Sequence, residues 1–209
     1  MTEFSQKPTD LDWELVKNSC RNTVGKGFRE GPPSEEFKKN LVIAEHSPIR
    51  LLNFFWSWRG IKYWVSTEWS RHKFEKFIRS QRNDRQSMYD RNKAPQDAPV
   101  DFCGYANLQN MIDVCRKRLC YQATIEAKDL AEDFKEELSK THPIEASVLV
   151  PNCIYRCGCP EMNGCGFWKF FMNYCKEHEH TVTDIQSRYS AYNEWFDMYR
   201  ANRRKSDAK

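Results

Sequence analysis

Apolar positions in this chain fall mostly at helical spacing, interrupted by two extended or loop-like stretches. Leu11, Trp13, Leu15 and Val16 mark a short helix over 9–22, with Thr9 or Asp10 as its cap. Gly25 to Ser34, which contains Gly31-Pro32-Pro33, reads as a loop, and Ser34-Glu35-Glu36 opens a second helix. Ile49 to Trp58 is dense in Leu, Phe and Trp without clean alternation, which predicts a strand buried on both faces before Gly60 turns the chain. Ile61, Trp64, Val65 and Trp69 then predict a helix leading into Arg71-His72-Lys73. Phe74 to Arg82 fits either a continuation of that helix or an extended segment. Pro95 and Pro99 make 92–99 a loop.

The second half reads as mainly helical. Leu108, Met111, Ile112, Cys115 and Leu119 share one face of a helix over 106–119. A charged helix follows to Lys140, and His142-Pro143 ends it. Glu145 to Val150 is short and apolar. Pro151 to Gly166 is rich in Cys and Gly and irregular, and helices over 167–179 and 183–203 complete the chain. The pattern predicts one domain over 1–209 of the α/β (α+β) class, with a Cys-rich loop at 151–166 and a helical tail at 167–209.

Composition narrows the function classes. A 40% hydrophobic, 14% aromatic chain of 209 residues can bury a real core and is not a disordered tail. The net charge of +4 is too small for a polybasic nucleic-acid protein, so no nucleic acid is expected as partner. Cations cluster locally instead, at 71–91, 116–118 and 200–205, which suits small phosphorylated ligands. Residues 1–14 lack an apolar signal region, and no apolar run approaches ~18 residues, so no membrane span is expected and the cytoplasm is the expected compartment. The nine cysteines are then expected to be reduced.

The richest chemistry lies in 69–85, where Arg71, His72 and Lys73 precede Ser80, Gln81 and Arg82. Cations, an imidazole and a hydroxyl beside aromatics suit phosphates and a planar ring, although a solvated basic helix face has the same composition. A second segment runs from Asn107 to Arg118. The two residues are eleven apart, about three turns at ~3.6 residues each, and project from one side of a helix. The plainer reading makes Asn107 a cap and Arg116 to Arg118 a complement to the helix dipole.

Taken in order, these segments resemble the flavin-dependent thymidylate synthases, the ThyX family, in a short phage-like form. That family carries R-H-R-x-x-S-x-N-x-x-S-x-R. Here Arg71-His72-Lys73 is followed by Ser80 and Arg82, one residue shorter and without the internal Ser and Asn. Glu45-His46-Ser47-Pro48 is similar to the family's His-Glu-Ser/Thr-Pro segment. Asn107 to Arg118 matches its Asn-to-Arg helix, and Ala123 and Glu126 match the Ala-Gln-x-Glu that follows. The resemblance covers about 45–126.

It implies a ThyX-like central mixed sheet flanked by helices. It implies conversion of dUMP to dTMP, with FAD as cofactor and methylenetetrahydrofolate and NADPH as co-substrates, in a homotetramer. Ser47, Arg71, His72, Lys73 and Asn107 would contact FAD. Gln109 stands where the family has a flavin-binding Arg. Ser80, Gln81 and Arg82, with Arg71, would bind the nucleotide phosphate. Glu68 stands where the family has a nucleotide-binding Gln, and Arg50 where it has Glu. Arg118 would lie against the uracil ring as the catalytic group. If the protein is viral, the compartment would be the host cytoplasm. Two rivals stand beside this reading: a pyrimidine-nucleotide hydroxymethylase on the same scaffold, and a non-enzymatic nucleic-acid-binding module.

Cys153, Cys157, Cys159 and Cys165 are spaced C-x3-C-x-C-x5-C, looser than the paired spacing of zinc sites. They stand as candidate ligands of a structural zinc, as buried reduced thiols, or as a redox group.

Overall fold

The computed structural model describes residues 1–85 and 90–207. The chain divides into two compact units, one formed by 1–34 and 47–111, the other by 35–46 and 112–209.

The first unit is built on a four-stranded sheet, in the order β1 (Glu3–Gln6), β2 (Asn53–Lys62), β4 (Pro99–Asn107), β3 (Glu75–Ile78). Every strand pair is antiparallel, which corrects the expected mixed sheet. The strand expected over 49–58 begins later, because Ser47–Leu51 forms a 3-10 turn. Its two faces are unequal: Ser57 on the opposite face is buried as well, but the large rings pack on one side. Phe54, Trp56 and Trp58 alternate onto the core side and are fully buried, while Phe55 is only half-buried. Gly60 does not turn the chain. It takes a left-handed φ of +61° inside a register irregularity between Trp58 and Ile61, and the strand continues.

Aromatic rings fill the core of this unit. Trp58 meets Trp69 edge-on at 4.7 Å and Phe102 at 5.3 Å, and Trp56 lies 5.4 Å from Phe74. Each such fully buried side chain contributes roughly 1.5–3 kcal/mol of transfer free energy. Helix α1 (Asp10–Thr23) starts at the expected cap: Thr9 Oγ1 accepts from Asp12 N while the Asp12 carboxylate accepts from Thr9 N at 2.7 Å. Helix α3 (Tyr63–Ser70) leads into Arg71 as expected, and of 74–82 the part that forms strand is β3, Glu75–Ile78.

The second unit is helical: α2 (Glu35–Ile43), α5 (Ile125–Ser139), α6 (Pro143–Ser147), α7 (Asn152–Tyr155), α8 (Phe167–Glu177) and α9 (Ile185–Asp207). Helix α4 (Leu108–Arg118) begins in the first unit, and its residues from Ile112 onward belong to the second. The short apolar stretch after His142 is α6, and the Cys-rich loop contains α7. An ion ladder joins α5 to α9. Arg200 bonds Glu132, Asp133 and Glu136, at 3.2, 2.7 and 2.6 Å, and Arg203 pairs with Asp129 at 2.7 Å. Glu132 is nearly inaccessible and also holds Lys128 at 2.6 Å. So dense a set of partners compensates the desolvation that an isolated buried carboxylate would suffer.

Candidate functional site

The sheet unit carries an open cavity of about 580 Å³, lined by Asn53, His72, Lys73, Lys76, Tyr105, Asn107 and Asn110, among others. Three of these, His72, Lys73 and Asn107, are residues the sequence singled out. Sheet pairing explains why they meet. Asn53 faces Asn107 across β2 and β4, and Glu75 faces Tyr105 across β3 and β4, so the turn before β3 is carried to the end of β4.

Lys76 holds that turn. Its Nζ donates to the Ser70 carbonyl at 3.0 Å and the His72 carbonyl at 2.7 Å, and lies 5.1 Å over the Phe74 ring. The His72 ring packs edge-on to Trp69, which is fully buried. Lys73 is exposed. Asn107 is a cap, as the plainer reading held: its Oδ1 accepts from Asn110 N at 3.0 Å. That bond orients the amide, so the Nδ2 donor is the end left for a ligand. An imidazole, ammonium groups, amide donors and a phenol around one open cavity fit a diphosphate and a planar ring.

The other sequence candidates are placed as follows. Ser47 is exposed at the start of the 3-10 turn, and Arg71 is exposed at the end of α3. Glu68 on α3 and Gln109 on α4 are half-buried; neither, nor Ser47 or Arg71, lines this cavity. Ser80 Oγ accepts from Arg82 N at 3.3 Å, and Gln81 between them is half-buried. The Arg82 guanidinium forks onto Asp84, with contacts of 2.9 and 2.6 Å. That hydrogen bond holds the Asp84 carboxyl below its usual range. A phosphate approaching Arg82 therefore competes with Asp84. Of the basic stretch 71–91, residues 86–89 lie outside the described residues.

The 116–118 cluster splits by role. Arg116 pairs with Glu45 and Asp113, and its guanidinium lies 3.6 Å from the Tyr155 ring centroid, so it is a structural cation of the helical unit. Arg118 is half-buried in the last turn of α4.

Of the four cysteines of the zinc candidate, Cys153 lies within electrostatic reach of Cys159 and Cys165, and of Cys120 as well. Cys153 is buried on α7, whereas Cys157, Cys159 and Cys165 are exposed, and Cys157 Sγ faces the Val182 carbonyl at 4.0 Å. Among the described residues no group of three or more His, Cys, Asp and Glu is placed to hold a metal ion. Burial pushes the Cys115 and Cys153 thiols up to about 12, so neither offers a thiolate at neutral pH.

Sequence reasoning missed Asn53, Tyr105 and Asn110. The signal for one of them was present: Val100, Phe102, Gly104 and Ala106 alternate on the buried side of β4, which puts Tyr105 on the open face.

A solved structure of the flavin-dependent thymidylate synthase ThyX from Helicobacter pylori, complexed with FAD and dUMP, matches this chain with a TM-score of 0.57. The match covers 71% of this chain and 99% of that one at 14% identity. The chain has the ThyX fold. A second Helicobacter pylori ThyX structure with FAD and dUMP gives the same TM-score, 0.57, and the same coverage at 10% identity. No protein-family model and no curated protein sequence matches the chain. The ThyX likeness shown here is one of fold. Among the described residues no helix is long and apolar enough to cross a membrane.

Proposed function

We propose that this protein is a flavin-dependent thymidylate synthase that converts dUMP to dTMP with FAD, methylenetetrahydrofolate and NADPH. The observation that carries the reading is the convergence of His72, Lys73 and Asn107 on one cavity of a chain with the ThyX fold. Bound FAD would supply the redox chemistry that no side chain here provides. His72 and Lys73 would offer charge and hydrogen-bond donors to its diphosphate, and the Asn107 amide a neutral donor. Ser47, Arg71 and Gln109 lie outside the cavity wall, so their flavin contacts would depend on further subunits of the proposed homotetramer.

The chain's own work would be to bind, orient and charge-stabilise dUMP. Ser80, Gln81 and Arg82 would take the phosphate, with Arg82 exchanging Asp84 for the ligand, and Glu68 and Arg71 would complete the nucleotide site. C5 of uracil is a poor nucleophile. A guanidinium beside N3 and a carbonyl oxygen stabilises the enolate-like form of the ring, and Arg118 is planar and permanently charged. The raised thiols of Cys115 and Cys153 favour this electrostatic route over covalent attack on C6 by either thiol.

The test is direct. The purified protein, or the protein mixed with FAD, should show flavin absorbance and a raised melting temperature, and should form dTMP from dUMP with methylenetetrahydrofolate and NADPH. A product heavier by one oxygen would identify the hydroxymethylase instead. A colourless protein that FAD does not stabilise, and that binds oligonucleotides with a steep salt dependence, would replace the enzyme reading with the nucleic-acid module.

A further inference from the structure

The helical unit contains a second cavity, of about 550 Å³, which the thymidylate reading does not use. Lys135, Asn193, Ala146 and Ser147 lie on its wall, with Ser190 and Asp197. Lys135 is 2% exposed. Its Nζ donates to the Ala146 carbonyl at 2.7 Å and to Asn193 Oδ1 at 2.5 Å. Both acceptors belong to cavity-lining residues, so the amine stands at the wall.

The neighbouring bonds define its hydrogen-bonding state. Asn193 Nδ2 donates to the carbonyls of Ser147 and Tyr189, at 2.9 and 2.8 Å, which forces Oδ1 toward the lysine as an acceptor. The rings of Tyr192 and Phe196 lie 5.6 and 5.2 Å from Nζ and exclude water on that side. Among the described residues Lys135 has no carboxylate ion pair. Desolvation lowers its pKa to about 7 and outweighs the opposing effect of nearby Asp197. A neutral amine has two N–H bonds and one lone pair. Here two acceptors use both N–H bonds, and the lone pair is left as a nucleophile.

We propose that this cavity is a binding site for a small hydroxylated aldehyde, held by Lys135 as an imine. The nitrogen lone pair bonds to the carbonyl carbon, the C–O bond breaks, and the two amine protons leave with the oxygen as water. The step consumes no oxidant or reductant. Serine hydroxyls and the Asn193 network make the wall polar, which suits a ligand bearing hydroxyl groups. The site lies wholly within the helical unit and does not depend on the thymidylate reading.

The experiment treats the intact protein at pH 7 with limiting glycolaldehyde and sodium cyanoborohydride, and maps hydroxyethyl adducts by peptide mass spectrometry. At pH 7 about half of an amine of pKa about 7 is neutral, against about one in 10³ for an ordinary lysine. Lys135 should therefore carry at least about ten times the adduct of the average exposed lysine. Its labelling should level off above pH 7 while that of surface lysines keeps rising. Lys135→Met should lose that adduct and keep the others. If the variant does not fold, the wild-type distribution and its pH profile decide alone. An unmodified Lys135, or one labelled no more than the exposed lysines, overturns the proposal.

Discussion

Replacing Gly104 with alanine is expected to lower the melting temperature of this protein by about 6–12 °C. Gly104 lies in the middle of β4, and a Cβ built there would sit 2.3 Å from Cζ2 of Trp56, with two further ring atoms at 2.5 and 2.6 Å. Ordinary contact begins near 3.4 Å, so ring or strand must retreat by about 1 Å. The ring has nowhere to go. Trp56 is fully buried, 5.6 Å from Trp58 and 5.4 Å from Phe74, and Trp58 is itself clamped by Trp69 and Phe102. Overpacking of such a core costs about 1–3 kcal/mol, and the rigidity of this stack places the change near 3. At ~2–4 °C per kcal/mol for a chain of this size, the expected shift follows. Scanning fluorimetry and a urea titration with unchanged slope would measure it. Gly60→Ala is the control, because Gly60 has a left-handed φ of +61° and open space around it, so only the backbone preference of about 1–2 kcal/mol is lost. If Gly104→Ala melts within about 2 °C of wild type, or Gly60→Ala melts lower, close packing of Trp56 on β4 is not what holds the sheet.

Arg118→Lys should fold and bind flavin but lose roughly 100- to 1000-fold in dTMP formation, since lysine keeps the charge and loses the planar fork; full activity would refute electrostatic activation by this residue. Arg82→Ala should weaken dUMP binding by about tenfold, whereas Asp84→Asn, which removes the competing carboxylate, should tighten it; calorimetric titration of dUMP separates the two. Asp129 is desolvated, but its bond to Arg203 outweighs this and holds its pKa below 3.8. Its stabilising contribution is therefore present above 3.8 and lost as pH falls further, so Asp129→Asn should flatten the acid limb of a stability–pH curve below pH 4. Lys135 has the same sign for a base: its folded pKa is lowered, so the unfolded chain binds more protons between about 7 and 10.5, and stability rises with pH across that window. Urea midpoints at pH 7 and pH 9.5 should differ more for wild type than for Lys135→Met.

Helix positions were legible because a helix writes its buried face into a short window. Leu108, Met111, Ile112 and Cys115 announce α4, and Thr9 with Asp12 announces α1, since capping and 3.6-residue spacing are local. The sheet was less legible because its pairing is not local. β1 has only four residues, and β4 hides behind Pro95 and Pro99, with a glycine and an alanine at two of its buried positions. Only packing against Trp56 explains why Gly104 must be small. The candidate site divides along the same line. The sequence alone determined which residue types were present for phosphate and ring chemistry, and His72, Lys73 and Asn107 were named from it. Tertiary structure decided that these three meet beside Asn53 and Tyr105, that Arg82 answers first to Asp84, that Arg116 is engaged by Glu45 and Tyr155, and that Cys153 lies near Cys159 and Cys165 while Cys157 faces Val182. It also placed Lys135, one more charged residue on a polar-looking helix, buried at a cavity wall. The physical reason is that donor chemistry belongs to a side chain, while its partners, its solvation and hence its charge state belong to what the rest of the chain packs around it.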